Sequence, residues 1–314
     1  GAQVRVVTAP DGVAGADAVV LPGVGHFGEA MRRIRATGLD VAIRDAVDEG
    51  LPVLGICLGQ QLLFEESEES PGAVGLGLLP GAVRRLADDF DVHTRVGEGS
   101  LVLARFYRER DAAGEPRRPN AGFAVGAICV AAPGERVSGD GWDVAFHDRR
   151  ADVVMADGLG HGPDAAVAAV AALTALDTQY GTAPGSYVER AHAALRGTRG
   201  AAVGALRIDS SSNRIRFAGA GNILGRVISG IADRTLVTQS GTAGLQMRTV
   251  QEQELDWPEH ALVIVHSDGI QSRWQFDDAA VLQRDPAIVA AFVLWKFSRG
   301  RDDATVVVVR RAEI

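Results

Sequence analysis

The sequence predicts two architectures in one chain: an α/β fragment in the first third, followed by a β-sandwich flanked by helices. The first prediction rests on two short apolar runs, residues 18–21 and 52–56, which are separated by a helical pattern. Continuous apolar strands that alternate with helices are typical of a parallel sheet. The second prediction rests on many strand-like runs after residue 121, which only a few helical patterns interrupt. Between the two, residues 111–120 contain glycine, two prolines and charged residues, which predicts a linker.

Composition narrows the class of protein. A length of 314 residues favours about two domains, and 46% hydrophobic with 23% charged residues is ordinary for a globular protein. No apolar run reaches the roughly 18 residues that span a bilayer, so a membrane role is not expected. The net charge of −8, without a long basic run, also disfavours nucleic acid as a partner. Two cysteines and no signal-peptide pattern at the start favour a cytoplasmic location.

The first third contains one candidate reactive residue. A helical pattern over residues 27–50, broken near Gly38, leads to the second apolar run and then to Gly55-Ile-Cys57-Leu-Gly59. A reactive residue on a sharp strand-to-helix turn, with a glycine two positions to either side, has the form of a nucleophile elbow. The N-terminus of the following helix, predicted from Gln60 to about Glu66, would favour a thiolate at Cys57.

Three runs in this region resemble class I glutamine amidotransferases, most closely the amidotransferase subunit of imidazole glycerol phosphate synthase. They are LPGVGHFG (21–28), PVLGICLGQQLLFE (52–65) and GLGLLPGAV (75–83). The resemblance implies that Cys57 is the glutaminase nucleophile, that Gln61 contacts glutamine, and that Gly23 to Gly25 form the oxyanion-side strand.

The same family needs a histidine and a glutamate near its C-terminus in a His-x-Glu arrangement, because the cysteine requires a base. None of the seven histidines of this chain precedes such a glutamate, and the first strand of the family is missing as well. Residues 1–83 are therefore interpreted as an amidotransferase-like fragment. An unreactive Cys57 in an incomplete fold is the simpler alternative.

The next segment, residues 84–110, continues from a run that fits a second family. Read from Gly75 through Gly97-Glu-Gly99, it resembles the tail of a GHKL-type ATPase domain. That family's Asn-bearing helix and Asp-x-Gly-x-Gly box are absent, and a glycine-rich loop alone is weak support for ATP binding. The alternative is a structural helix and hairpin. The chain is thus hypothesised to be a composite, with a domain boundary at residues 111–120.

Residues 121–314 contain acidic positions that share one pattern: each lies at the end of a strand-like run, beside a glycine or a turn. They are Asp140, Asp157, Asp268, Asp302 and Asp303. One such aspartate is usually a turn or cap residue, but repetition of the pattern predicts convergence. Converging carboxylates repel one another and need cations to coexist. Carboxylate and carbonyl oxygens suit a hard divalent ion.

These positions, with the stretch Met155-ADGLGH-Gly162 and the run RGTRGAA (196–202), resemble the PPM family of metal-dependent serine/threonine phosphatases, in its SpoIIE-like branch. The resemblance implies two Mn²⁺ or Mg²⁺ ions bridged by Asp157. It assigns the remaining ligands to the Gly158 carbonyl, Asp268 and Asp302, with Asp140 on the second ion. Asp303 stands where many members have asparagine and is a ligand of lower rank.

Three further residues of this half have alternative roles. His161 is a candidate general acid, although it is not where some family members carry one, and a structural role in the loop is the alternative. Asn222 lines the cleft or forms a turn. Cys129, inside an apolar strand-like run, is expected in the core.

The function predicted for the chain is hydrolysis of phosphoserine or phosphothreonine in a protein by water activated between two metal ions. By resemblance, the partner is an anti-anti-sigma (STAS-domain) protein or a stressosome component. Two alternatives belong to other classes: a glutamine amidotransferase that feeds ammonia to a cyclase, and a regulatory module without catalysis.

Overall fold

A computed structural model of the chain describes residues 6–23, 25–55, 58–67, 70–79, 88–95, 98–105, 122–175, 182–230 and 232–312. The chain divides into two compact units. The first takes in residues 1–90 and 94–117, and the second takes in residues 91–93 and 118–314. The predicted linker, residues 111–120, lies outside the described residues.

The first unit contains the predicted parallel strands. β1 (Val19–Leu21) and β2 (Val53–Gly55) pair in parallel, with Val20 opposite Leu54. Two helices lie between them in sequence, α1 (Phe27–Thr37) and α2 (Leu39–Asp48), and α3 (Leu58–Leu62) follows β2. A 3₁₀ helix (Pro10–Gly12) precedes β1. The α/β prediction for this region is confirmed.

The break between the first two helices has a local cause. Gly38 has φ = 75°, a left-handed conformation that ends α1, and its N–H bonds back to the Ile34 and Arg35 carbonyls. Glycine adopts this conformation without the penalty that a Cβ would bring. The two helices then bury Phe27, Met31 and Ile43 in one small core.

Two more strands of the predicted segment 84–110 are described. β3 (Asp89–Arg95) and β4 (Gly99–Arg105) pair in a two-stranded sheet. This agrees with the hairpin expected from the sequence. The helix expected before it falls on residues outside the described ranges.

The second unit is built on two five-stranded sheets. The first sheet has the order β11-β10-β15-β16-β5, and its strands are β5 (Phe123–Val130), β10 (Leu224–Ile228), β11 (Asp233–Val237), β15 (Leu262–His266) and β16 (Ala304–Arg311). The second sheet has the order β14-β9-β8-β7-β6, and its strands are β6 (Asp140–His147), β7 (Arg150–Gly158), β8 (Ala201–Asp209), β9 (Arg214–Ala220) and β14 (Gln253–Asp256). All the pairings within both sheets are antiparallel.

The two sheets pack face to face, because one core cluster draws side chains from both. Met155 and Phe217 of the second sheet share that cluster with Val265 and Val307 of the first. α4 (Pro163–Thr174) and α5 (Pro184–Ala194) pack their alanines on the outer face of the second sheet. α6 (Pro286–Phe297) covers the first sheet, and a 3₁₀ helix (Ala279–Gln283) precedes it. The predicted sandwich of sheets flanked by helices is confirmed.

Three details differ from the sequence predictions. Cys129 is exposed, so its placement in the core is wrong: β5 is an edge strand, and its last two residues reach solvent. The sequence pattern predicts a helix from about Tyr187 to Leu195, but α5 begins three residues earlier, at Pro184, because proline suits the first turn of a helix. β14 and the two-residue strands β12 (Gly241–Thr242) and β13 (Gln246–Met247) were not predicted.

Candidate metal centre

Two of the predicted aspartates face each other across neighbouring strands. Asp140 is the first residue of β6, Asp157 is the last but one of β7, and the antiparallel register pairs them directly. The N–H of Gly158 donates to the Gly139 carbonyl at 3.0 Å, which fixes this end of the pair. Directly opposed like charges destabilise a sheet unless a cation is present.

The turn after Asp157 requires glycine for a packing reason. A Cβ on Gly158 would lie 2.1 Å from the backbone oxygen of Ala165 in the first turn of α4. The absence of a side chain therefore lets α4 pack against the end of β7 beside Asp157. Gly160 and Gly162 follow with φ of 88° and 75°, both left-handed conformations that favour glycine.

The other predicted aspartates come from the first sheet. Asp268 follows β15 by two residues, and Asp302 and Asp303 directly precede β16. β15 and β16 are antiparallel neighbours, so the end of one meets the start of the other. A Cβ on Gly269 would lie 2.0 Å from the Asp303 carbonyl oxygen, which shows how closely the two segments approach.

Ser267 joins the two groups of aspartates. Its fully buried hydroxyl donates to Asp140 Oδ2 at 2.6 Å and accepts from the Thr305 N–H at 3.0 Å. Asp140 belongs to the second sheet. Ser267 directly follows β15 of the first sheet, and Thr305 lies in β16 of that sheet. The acidic residues of both sheets are thereby held at the same end of the sandwich.

The electrostatics of the cluster follow from burial and from mutual repulsion. Burial, followed by the negative charges of Asp140 and Asp268, raises the pKa of Asp157 to about 9. Burial likewise raises the pKa of Asp140 to about 6, against the hydrogen bond from Ser267, which lowers it. Burial also raises the pKa of Asp302. The described residues around these carboxylates therefore do not offset the cost of their burial and of their mutual repulsion.

The donor chemistry of the cluster fits a hard divalent ion. Asp140 Oδ1 and Asp303 Oδ2 are buried and accept no hydrogen bond within the described ranges. A buried charged oxygen without a partner is costly, and oxygen donors are those that Mg²⁺ and Mn²⁺ prefer. No three acidic, histidine or cysteine side chains among the described residues converge closely enough to hold an ion. The assignment of individual ligands therefore stays a prediction.

The remaining predicted residues of this half lie around the cluster. Asn222 Nδ2 donates to Asp268 Oδ2 at 3.2 Å, so Asn222 contacts a predicted ligand. His161 Nδ1 lies 2.7 Å from Glu135 Oε1. Asp303 Oδ1 accepts from the Ala132 N–H at 2.8 Å. The sequence reasoning missed Glu135 and Ser267, and the only signal for Ser267 was its place beside Asp268.

The second candidate site, around Cys57, lies outside the described residues, but its flanking glycines are described. A Cβ on Gly59 would lie 1.7 Å from the Leu21 carbonyl oxygen, and one on Gly55 would lie 2.5 Å from the Gln60 Cα. The predicted need for glycine on both sides of the turn is confirmed. Gln61 lies in α3 and is half-buried. Gly23, in the predicted oxyanion-side segment, packs against this turn, since its Cβ would lie 3.2 Å from the Gly59 nitrogen.

Comparison with protein families identifies the second unit. The family model described as Stage II sporulation protein E (SpoIIE) matches residues 147–312, which is more than half of the chain. The chain belongs to the SpoIIE family. The second unit is thus a protein phosphatase domain of the PPM type, and its enzymatic class is hydrolase. Asp157, Asp268 and Asp302 lie inside the matched span, and Asp140 lies ahead of it.

The first unit matches a different family. The model described as Glutamine amidotransferase class-I matches residues 3–105. The HisH subunit of imidazole glycerol phosphate synthase from Thermus thermophilus is 51% identical over 85 residues, which are 27% of this chain and 43% of that protein. The Bacillus subtilis HisH subunit is 59% identical over 81 residues, which are 26% of this chain and 38% of that protein. The chain therefore spans less than half the length of these curated relatives.

The amidotransferase match also bears on residues 84–110. It extends to residue 105 and so takes in most of that segment. The resemblance of the segment to a GHKL-type ATPase tail is not shown.

Solved structures support the fold of the second unit. A structure from work on the bacterial stressosome, a modular system adapted to control secondary messenger signalling, is 29% identical with a TM-score of 0.56. It covers 60% of this chain and 99% of that chain. RsbX in complex with magnesium is 19% identical with a TM-score of 0.53, covering 62% of this chain and 98% of that chain. The second likeness supports the fold alone.

Within the described ranges, no helix is both long enough and apolar enough to cross a bilayer.

Proposed function

We propose that the chain removes phosphate from phosphoserine or phosphothreonine in a protein, using water activated between two Mn²⁺ or Mg²⁺ ions. The observation that supports this most strongly is the acidic cluster at one end of the sandwich, in which the pKa of Asp157 is raised to about 9, first by burial and then by the charges of its neighbours. Carboxylates brought together at this cost need cations, and family membership supplies the reaction class.

The ions are proposed to be held by oxygen atoms from both sheets. Asp157 and the Gly158 carbonyl come from β7, Asp140 comes from β6, and Asp268 and Asp302 come from the first sheet, with Asp303 as a further candidate. When bound, such ions lower the pKa of a water molecule and offset the charge of the phosphoryl oxygens. Ser267 orients the Asp140 carboxylate through its 2.6 Å hydrogen bond, and Asn222 orients Asp268.

The proposed substrate is a phosphorylated regulatory protein of a sigma-factor or stressosome system, specifically a STAS-domain (anti-anti-sigma) partner in the cytoplasm. Two findings support this class: membership of the SpoIIE family and the likeness to a structure from the bacterial stressosome. A protein substrate also agrees with a site at the open end of the sandwich, where Asp302 and His161 are partly or largely exposed to solvent.

Glutaminase activity of the first unit has less support. The close packing of Gly55 and Gly59 favours it, because a nucleophile elbow needs glycines two positions to either side of the reactive residue. However, the His-x-Glu pair that would serve the cysteine is absent from the sequence. A regulatory module without catalysis is disfavoured, because the sequence contains every aspartate that the resemblance assigns to the metal centre.

Activity measured with and without metal tests the proposal. We expect the full chain to hydrolyse p-nitrophenyl phosphate and a phosphoserine peptide with Mn²⁺, and to lose this activity in EDTA. Asp268→Ala should lower the rate by roughly 10³-fold, because bound metals supply several kcal/mol of transition-state stabilisation. The matched control is Asp17→Ala, an exposed aspartate of the first unit. Equal activity in both variants, or activity that survives EDTA, would refute the proposal.

A further inference from the structure

A buried histidine and a buried tryptophan bracket Asp268 in the chain. His266 is the last residue of β15, lies two residues before Asp268, and is only 1% exposed. Trp274 follows eight residues after His266 and is 7% exposed. Its indole Nε1 lies 3.3 Å from Nε2 of His266. The chain therefore leaves β15 at His266, passes through Asp268, and returns to His266 at Trp274.

This contact determines where the imidazole of His266 carries its hydrogen. An indole N–H can only donate, so Nε2 of His266 accepts from Trp274 and has no hydrogen of its own. The hydrogen of the neutral ring is therefore on Nδ1, which lies 2.9 Å from the Ser267 carbonyl oxygen. A carbonyl oxygen can only accept, so Nδ1–H donates to it. The two contacts thus agree on a single tautomer, with both ring nitrogens paired.

The Ser267 carbonyl belongs to the peptide group that leads into Asp268. It also accepts from the Ile270 N–H at 3.3 Å, which closes a four-residue turn with Asp268 as its second residue. The Ser267 N–H, on the preceding peptide group, donates to the Thr305 carbonyl at 3.1 Å. Both peptide groups of Ser267 are therefore held by hydrogen bonds, and His266 holds the one from which Asp268 begins.

Trp274 is itself fixed by three other elements of the second unit. Its ring stacks on Phe297 at the end of α6, with ring centroids 5.3 Å apart. The guanidinium of Arg226, in β10, lies 3.9 Å from the ring centroid and donates from Nη1 to the Trp274 carbonyl at 2.8 Å. Asp233, in β11, accepts from Arg226 Nε at 3.1 Å. An indole locked in this way is suited to orient a neighbouring group.

Pairing alone does not indicate a function, because a buried histidine needs hydrogen-bond partners in any core. The distinguishing feature of this pair is its last acceptor, the peptide group that begins the proposed ligand Asp268. Groups that stand behind a metal ligand orient it, and their loss typically weakens metal binding by about 10- to 100-fold.

We propose that His266 is a positioning residue for Asp268, and that Trp274 acts through it by holding the imidazole with its Nδ1–H on the Ser267 carbonyl. The pair fixes the Asp268 carboxylate in the metal-free protein and thereby sets the affinity of the acidic cluster for Mn²⁺ or Mg²⁺. This inference rests on the metal centre of the function proposed above.

Two tryptophan-to-phenylalanine variants of the full chain test the proposal. Trp274→Phe keeps an aromatic ring in the stack and removes the hydrogen that His266 accepts. Calorimetric titration with Mn²⁺ should show Kd raised by roughly tenfold or more.

The matched control lies at the opposite end of β15. Trp257 is 1% exposed, and its Nε1 donates to the Ala261 carbonyl at 3.2 Å, just before that strand begins. Trp257→Phe removes an equivalent buried hydrogen bond and should leave Kd for Mn²⁺ within about twofold of the parent value. If Trp274→Phe weakens binding no more than Trp257→Phe does, the proposal is wrong.

A second substitution tests whether the tryptophan acts through the histidine. His266→Phe should raise Kd for Mn²⁺ by a factor similar to that of Trp274→Phe. Adding Trp274→Phe to His266→Phe should change Kd by no more than about a further twofold, because the imidazole that Trp274 holds is already gone. Losses that multiply in the double variant would contradict this route.

A spectroscopic measurement on the parent chain needs no variant. In ¹⁵N-labelled metal-free protein, the imidazole of His266 should carry its hydrogen on Nδ1 and have an unprotonated Nε2. A hydrogen on Nε2 would overturn the positioning role, whatever the activity. A chain that binds Mn²⁺ as expected but hydrolyses no phosphoester would refute the phosphatase function and leave this inference standing. A chain that binds no Mn²⁺ would refute both.

Discussion

Each unit of this chain contains a strand that is followed in sequence by a helix, with a closely packed glycine nearby, but only in the second unit do distant charged residues also reach that place. In the first unit, Gly59 packs against the Leu21 carbonyl, two residues after Cys57 in the chain. In the second unit, Gly158 packs against the Ala165 carbonyl, directly after Asp157. The local packing requirement is therefore the same, and a glycine meets it in both places.

The difference lies in the distant residues that reach each turn. Asp140 faces Asp157 across the sheet. The negative charges of Asp268 and Asp302, which are over a hundred residues away in the chain, also raise the pKa of Asp157. Cys57 has no His-x-Glu pair in the sequence to serve it. A reactive turn is thus a local feature, whereas a catalytic centre depends on long-range packing that brings further groups to it.

The largest expected effect comes from filling the second turn. Gly158→Ala should lower the free energy of unfolding of the second unit by about 3 kcal/mol or more, because the new methyl group would overlap the α4 backbone. All four tryptophans, Trp142, Trp257, Trp274 and Trp295, lie in this unit, so urea unfolding followed by tryptophan fluorescence reports on it.

The same measurement sharpens the comparison between units. Gly59→Ala should leave the tryptophan transition in place, since its clash lies in the first unit. Gly230→Ala, which has open space around the position, should change the unfolding free energy by less than about 0.5 kcal/mol. An unchanged transition for Gly158→Ala would show that the turn does not need glycine.

The next effect concerns the residue that joins the two sheets. Ser267→Ala would leave Asp140 Oδ2 and the Thr305 N–H without their shared partner. We expect a loss of about 1–3 kcal/mol in stability and roughly 10- to 100-fold weaker Mn²⁺ binding. Titration calorimetry measures the binding, with Ser212→Ala, an exposed turn serine, as the control. Unaltered Mn²⁺ affinity would mean that Asp140 is not oriented by Ser267.

Proton release on metal binding is the third effect. Burial and neighbouring charges raise the pKa of Asp157 to about 9, so at pH 7 the metal-free protein holds a proton there that an ion must displace. The affinity for Mn²⁺ should therefore fall about tenfold for each pH unit below 9. Below about pH 6 the fall should steepen, because burial raises the pKa of Asp140 to about 6. Calorimetry in buffers of different ionisation enthalpy should show about one proton released at pH 7. Binding without proton release would contradict the raised pKa.

The smallest effect is expected at Asn222. Its amide donates to Asp268 at 3.2 Å from an exposed position, so Asn222→Ala should lower phosphatase activity by less than about tenfold. The unfolding free energy should change by no more than about 0.5 kcal/mol. A large loss of stability would instead assign Asn222 to the turn, as the alternative sequence interpretation holds.

Much of this architecture could be predicted because it is encoded locally. Continuous apolar runs predicted β1 and β2, and the pattern of aspartate beside glycine selected Asp157 and the acidic residues whose charges act on it. The sequence failed where the cause is not local. Cys129 sits in an apolar run, but only the sheet order shows that its strand is at an edge.

The partners of the site were equally beyond sequence reasoning. Ser267 and Asp140 are 127 residues apart, and His161 and Glu135 are 26 apart in two loops without a shared motif. Loop residues of this kind have no periodicity that would indicate their contacts. Their roles become apparent only when the two sheets bring the loops together.

We propose that the chemistry of this chain belongs to Asp157 and not to Cys57. A comparison of the full chain with Asp157→Ala and Cys57→Ala tests this in two assays, Mn²⁺-dependent hydrolysis of a phosphoserine peptide and release of ammonia from glutamine. We predict that Asp157→Ala loses roughly 10³-fold or more of the phosphatase activity. Cys57→Ala should retain it, and none of the three proteins should release ammonia. Phosphatase activity that survives Asp157→Ala, or ammonia release that disappears in Cys57→Ala, would contradict this account.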